Sequence, residues 1–364
     1  MYMSPTRSLV FEILKSALWK TPVVFPDGVG QKEWNEVYSV LSMHGLAAFA
    51  YNAVASVPAE AKPQRDVAMK FISSFVAAEK NYAKFSEVDH LVDSLINDSG
   101  HMALRLKGLS LSEYYPEPFT RKFVDIDFYS PDHGDDIDAY FKSRGIAVDD
   151  DFYRHSHCHV RGVLVENHKC LLDVRGRQRM RDLDRDLKEM ACEHLKKFFV
   201  PGMYPPPVMF SAVFNLHHAL SHFIYEGISF KFLTDWIYFL CGEKEAMSSD
   251  EVNERIERHG LMKFAGVLTS VSIHHLGLAE ENVPSYLLEA ASQIKPSVEQ
   301  KFVDDLFRPY EPSHYKSKMK ERLNNVRRIV KASWKPSEFL GQSSFSFVMD
   351  KFIPILLGRK YEAD

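Results

Sequence analysis

The apolar positions of this 364-residue chain change their spacing twice. From Ser8 to about Asn97 they recur at helical intervals: Leu9, Val10, Ile13 and Leu14, then Val37, Val40 and Leu41, then Phe71, Phe75 and Val76. Pro22, Pro26, Gly28 and Gly30 mark a loop after the first helix, and Pro58 with Pro63 marks a second break. Between about His101 and Val174 the texture turns to short apolar runs bounded by turn residues, which is how strands read. The predicted strands are Ala103–Leu106, Phe123–Tyr129, His157–Val165 and Lys169–Val174, the last two forming a hairpin. A helix over Asp135–Arg144, ending at Gly145, separates the second strand from the third. After the break at Pro205-Pro206-Pro207 the pattern is helical again, through Val208–Tyr225, Phe230–Leu240 and further segments. The expected fold is α+β: a small mixed sheet within residues 98–204, flanked by helical regions at 1–97 and 205–364.

Composition narrows the class. With 26% charged and 45% hydrophobic residues the chain has the balance of a soluble globular protein, and it is long enough for two or three packed units. A net charge of -4 argues against wholesale electrostatic binding of nucleic acid. Cys158, Cys170, Cys192 and Cys241 have no CxxC spacing, so neither a zinc ribbon nor a disulfide framework is expected, and a reducing cytoplasm fits. Arg7, Glu12 and Lys15 break the apolar stretch that a secretory signal needs. No uncharged apolar run is long enough to span a membrane, since Asp350, Lys351 and Pro354 interrupt the tail.

Candidate chemistry concentrates in Phe123-Val124-Asp125-Ile126-Asp127-Phe128-Tyr129. Alternation on a strand puts Val124, Ile126 and Phe128 on one face and both aspartates on the other. Two carboxylates about 7 Å apart along a strand repel unless solvated or neutralised. A divalent cation with oxygen ligands is a strong neutraliser, and phosphoryl-transfer enzymes use this geometry for Mg²⁺. A wet edge strand gives the same alternation, so the neighbours matter. Upstream, Leu106-Lys107-Gly108-Leu109-Ser110 ends a strand in a lysine, a glycine and a hydroxyl, a combination that suits a triphosphate. Downstream, Leu171-Leu172-Asp173-Val174-Arg175 offers a third carboxylate.

The stretch R-L-K-G-L-S-L-S-E-Y-Y-P-E-P-F-T-R-K-F-V-D-I-D-F-Y-S-P-D resembles the signature of the uncharacterised bacterial nucleotidyltransferase family, within the polymerase-beta-like nucleotidyltransferase superfamily: a K-G, a tyrosine-proline, then R-x-x-x-D-I-D. The resemblance extends to Phe141-Lys142-Ser143-Arg144-Gly145, to Leu172-Asp173-Val174 and to Phe232-Leu233-Thr234-Asp235-Trp236. It implies Asp125, Asp127 and Asp173 as ligands of Mg²⁺ or Mn²⁺, with Asp173 also activating the acceptor hydroxyl, and Lys107, Gly108, Ser110 and Arg121 facing the phosphates of a nucleoside triphosphate. Two departures stand out. Leu109 follows the glycine, where the superfamily commonly has Gly or Ser, and Arg175 occupies the place two after the third acid where relatives often carry histidine. The implied activity is transfer of a nucleotidyl group to a hydroxyl acceptor, with sugar, antibiotic, protein and tRNA all open. The alternative is a non-catalytic member that binds nucleotide or a partner through the same fold.

Other polar features have plainer readings. His155, His157 and His159 alternate along a strand, and a polar strand face is favoured over a transition-metal site. Their face relative to Asp173 depends on whether the turn at Asn167-His168 has two residues or three. His218 and His222, one helical turn apart, read as core histidines, without the glutamate of H-E-x-x-H. Asp235 lies among apolar neighbours and reads as a structural anchor, with a base or ribose contact as the alternative. The basic amphipathic stretch Lys316–Lys335 reads as a solvated face, with RNA, an acidic polymer or a membrane surface less favoured as its partner.

Overall fold

The computed structural model describes residues 3–173, 178–308, 327, 329–346 and 348–349. Its first helices are α1 (Pro5–Trp19), α2 (Gln31–Met43), α3 (Tyr51–Ala55) and α4 (Arg65–Asp98). Local chemistry sets their starts: Ser4 caps α1 with Pro5 in its first turn, and Glu33 reaches back 2.8 Å to the backbone N–H of Gly30 before α2. The mixed segment then runs β1 (Met102–Leu106), α5 (Gly108–Ser112), β2 (Asp125–Tyr129), α6 (Gly134–Ser143), β3 (Val148–Asp149), β4 (His155–Val160), β5 (Val163–His168), α7 (Gln178–Leu195) and β6 (Gly202–Tyr204). The helices α8 (Val208–Tyr225), α9 (Phe230–Gly242), α10 (Lys244–Met247), α11 (Asp250–Arg258), α12 (Met262–Leu276), α13 (Ser285–Ser292) and α14 (Pro296–Leu306) follow, and a short helix covers Trp334–Leu340.

The six strands form one mixed sheet in the order β3-β4-β5-β2-β1-β6, so the expected α+β fold stands. The pairs β2–β5 and β1–β6 are parallel, and the others antiparallel. The sheet's back face carries Ile126, Phe128, Val163 and Val165, packed against Val88 and Val92 of α4 and Ile137 and Phe141 of α6. Its front face carries Leu104, Leu106 and Tyr129 into a larger core that includes Leu9 and Leu14 of α1, Phe210 and Phe223 of α8 and Phe302 of α14. Helices from both ends of the chain therefore share one apolar interior against the front of the sheet.

Three local expectations are corrected. Val124 precedes β2 and is 63% exposed, so it is not part of the buried alternation. The strand expected over His157–Val165 is two strands joined by a two-residue turn at Arg161-Gly162, both with positive φ (49° and 73°), which matches the twist of a tight hairpin. The strand expected over Lys169–Val174 ends at His168 instead, so Asp173 lies in coil after β5. Most of the basic stretch Lys316–Lys335 lies outside the described residues. Its last lysine is no solvated charge: Lys335 is buried, donating to the carbonyl of Phe223 at 2.7 Å and pairing with Asp305 at 2.8 Å.

The alternation in β2 has a measurable consequence. Phe128→Ala should lower unfolding free energy by about 3–5 kcal/mol, because it empties a fully enclosed site between α4 and α6. Val124→Ala should change it by less than about 0.5 kcal/mol. Urea denaturation of the two variants checks both, and similar losses would mean that Val124 packs inward.

Candidate active site

Sheet register brings the acids together. Asp125 and Asp127 lie on the same face of β2, and on the parallel neighbour Glu166 stands beside Asp127. His168, two residues on, shares that face. It places Nε2 2.8 Å from Asp127 Oδ1, while Lys107 reaches the same oxygen from the end of β1 at 3.3 Å. The floor is therefore three carboxyl groups, one imidazole and one ammonium. Asp125, Asp127 and Lys107 line a cleft of about 960 Å³, whose walls include Phe123, His218, His222, Lys231 and Phe232; Glu166 and His168 stand beside Asp127 on the sheet.

The charge state of this floor follows from burial. Burial raises the Asp125 carboxyl, the Asp127 charge adds to the shift, and Lys107 and Lys231 oppose it. Asp127, 2% exposed, experiences the same upward push from burial, yet the Lys107 ammonium and the His168 hydrogen bond hold it well below the usual carboxylate range. Glu166 is pushed up to about 7 by burial and then by the charges of Asp127 and Asp125. His168 is held down by burial and by Lys107. Three acids with unequal proton affinities on one face of the sheet form an arrangement found where protons or cations are handled.

The sequence-predicted residues divide. Asp125, Asp127, Lys107 and Gly108 all line the cleft. Lys107 adopts φ 42° and ψ -129°, a backbone conformation that favours glycine and costs a side-chain-bearing residue on the order of 1–3 kcal/mol. Arg121 also borders the cleft, but its guanidinium is engaged elsewhere: Nε and an η nitrogen meet both carboxylate oxygens of Asp235 at 2.7 and 2.9 Å, and the other η nitrogen donates to the carbonyl of Gly108 at 2.9 Å. Tyr115 donates to the same Asp235 at 2.7 Å. This buried pair ties the segment between β1 and β2 to α9. Ser110 turns away, donating to the carbonyl of Arg105 at 2.8 Å and lining a smaller cavity of about 410 Å³. Asp173 accepts a hydrogen bond from Tyr153, and it is Glu166, not Asp173, that stands in register with Asp127.

Sequence reasoning missed Glu166, His168 and Lys231. The first two carried a signal: with the hairpin turn at Arg161-Gly162, strict alternation along Val163–His168 sends Glu166 and His168 to one face. Antiparallel pairing places His155, His157 and His159 on that same face. Lys231 follows the N-cap Ser229 in the first turn of α9, where the helix dipole disfavours a cation. Burial, then Arg121, brings its ammonium down to about 8. It lies 5.9 Å from the Phe232 ring centre and has no ion-pair partner among the described residues. His218 and His222 contact each other edge to face at 4.5 Å, and His222 hydrogen-bonds Glu226 at 2.8 Å.

Paired acids on the central strand of a small mixed sheet, with a lysine from the neighbouring strand end, place the molecule among the nucleotidyltransferase-like folds. A family model described as uncharacterised nucleotidyltransferase matches residues 30–277, and the chain belongs to that family. Comparison with curated proteins and with solved structures gives no match. Membership supports nucleotidyl transfer as the general function.

The Arg121–Asp235 pair can be tested apart from any activity. Asp235→Ala should cost about 3–5 kcal/mol of stability, since it leaves a buried guanidinium uncompensated. Arg121→Ala should cost a similar amount, and the double variant clearly less than the sum. A urea-denaturation double-mutant cycle measures this. Additive losses would show that the two side chains do not act as a pair.

Proposed function

We propose that the chain transfers a nucleotidyl group from a nucleoside triphosphate to a hydroxyl acceptor in a reaction that depends on Mg²⁺ or Mn²⁺. The observation that carries this reading is the register of Asp127 with Glu166, with Asp125 on the same face, beside a cleft that Asp125, Asp127, Lys107 and Lys231 line. The donor set fits a divalent ion: carboxylate oxygens on one face, two of them with proton affinity raised by burial and by the neighbouring acids' charge. Asp125, Asp127 and Glu166 would hold it. When bound, such an ion supplies stabilisation of charge on the attacking and leaving oxygens.

The protein's own groups have distinct tasks in this proposal. Lys107 and Lys231 receive the triphosphate; the second is partly buried and has no ion-pair partner among the described residues, a costly state that an anionic substrate would relieve. Glu166 takes the place first expected of Asp173. Its carboxylate accepts the proton of the acceptor hydroxyl as that oxygen bonds to the α-phosphorus and pyrophosphate leaves. Arg121 positions rather than binds, because Asp235 and Gly108 occupy its donors.

A second reading has its own support. Lys107 and His168 already meet Asp127, so the site could balance charge without an ion and serve as a binding module. Thermal denaturation with each NTP and Mg²⁺ or Mn²⁺, run beside pyrophosphate release in the presence of a cell extract, separates the two. Under the catalytic proposal, ligand and metal together raise the melting temperature, and Asp127→Asn removes that gain. Lys231→Met should weaken triphosphate binding, while Glu166→Gln should retain it and lower transfer by about 10² or more. A triphosphate-dependent gain that ignores metal and persists in Asp127→Asn would establish the binding-module reading instead.

A further inference from the structure

The acid cluster on the sheet beside the cleft contains a donor that an all-oxygen magnesium site would not need. Ligand atoms of Asp127, Glu166 and His168 lie within 4.8 Å of one another, so two carboxylates and one imidazole nitrogen surround a common point. His168 is 3% exposed, and its position is fixed by pairing on both sides, with Tyr129 of β2 and His155 of β4. The nitrogen facing the acids is Nε2; Nδ1 is buried and has no hydrogen-bond partner among the described residues. Nε2 donates to the Asp127 carboxylate in this arrangement; an ion bound at the common point would displace that proton, leaving it on Nδ1 and the Nε2 lone pair directed at the ion.

We propose that His168 Nε2 is a metal ligand alongside Asp127 and Glu166, and that the site therefore prefers a divalent first-row transition ion, of the Mn²⁺ or Co²⁺ kind, to Mg²⁺. This rests on the metal-dependent reading above. Mg²⁺ favours oxygen donors in a regular octahedron and gives up its water reluctantly, whereas an imidazole donor shifts affinity toward transition ions. A buried imidazole between two acids thus sets the choice of ion. Lys107 does not compete for the role: its ammonium meets Asp127 Oδ1 but has no lone pair to offer.

Pulsed EPR of Mn²⁺ bound to the full chain with ATP tests the assignment directly. Expected are nitrogen couplings of imidazole type, lost in His168→Asn and retained in His155→Asn, with the whole signal lost in Asp127→Asn. In competition titrations, the preference for Mn²⁺ over Mg²⁺ should fall by about 10-fold or more in His168→Asn. If that variant does not fold, wild-type protein labelled with ¹⁵N-histidine keeps the test alive, because the coupling must then change from ¹⁴N to ¹⁵N. Mn²⁺ bound without nitrogen coupling overturns the inference and leaves the metal-dependent function intact. Couplings that vanish in His155→Asn, or that persist in Asp127→Asn through another cluster such as His101, His133 and Asp136, also overturn it. No Mn²⁺ binding at all would overturn both readings.

Discussion

Asp127 is a carboxylate with almost no contact with water, and much of the surrounding structure compensates for that. Lys107 supplies a full charge from the end of β1, even at the expense of a backbone conformation that suits glycine. His168 supplies a hydrogen bond from β5. Glu166 remains beside it with its proton affinity raised by burial and by the charges of Asp127 and Asp125. Acids held together in so little water favour a proton or a positive charge close by, and the Lys107 and His168 contacts with Asp127 meet part of that demand.

The sheet alone could not create that environment. One face of β2 lies against α4 and α6 through Ile126 and Phe128, and this packing holds the acids on the opposite face and prevents a slip in register. The segment between β1 and β2 would otherwise be a long irregular connection. The Arg121–Asp235 pair, with Tyr115, fastens it to α9. The same helix carries Lys231 into the cleft, so a purely structural ion pair also sets the distance between the acidic floor and a cationic wall.

The fold and part of the candidate site's arrangement were legible in the sequence, for identifiable reasons. Alternation in D-I-D-F-Y marked β2 because its apolar face is fully buried, and the helix before Gly145 was marked by Ile137 and Phe141. The hairpin was misread because apolar residues run through Cys158, Val160, Val163 and Val165 without a gap, which hides the turn at Arg161-Gly162. That slip hid Glu166, which stands in register with Asp127. Arg121 was legible as a conspicuous cation but not as one already paired, since its partner Asp235 lies 114 positions away. Lys231 left no pattern at all, because its importance comes from a cleft that only tertiary packing creates.

This division between legible and hidden residues follows the architecture. The acids sit on neighbouring strands, where a two-residue period constrains which side chains share a face. The residues around them come from distant segments: Met43 and Gly45 from the end of α2, His218 and His222 from α8, Lys231 and Phe232 from α9, and Arg308 after α14 all border the same cleft. The flanking helices are therefore walls of the site as well as supports of the sheet. Because they share one apolar core across the chain's two ends, the cleft can exist only after distant contacts have formed. The acid pattern is thus short and local, whereas the walls of the cleft beside it are built from helices far apart in the chain.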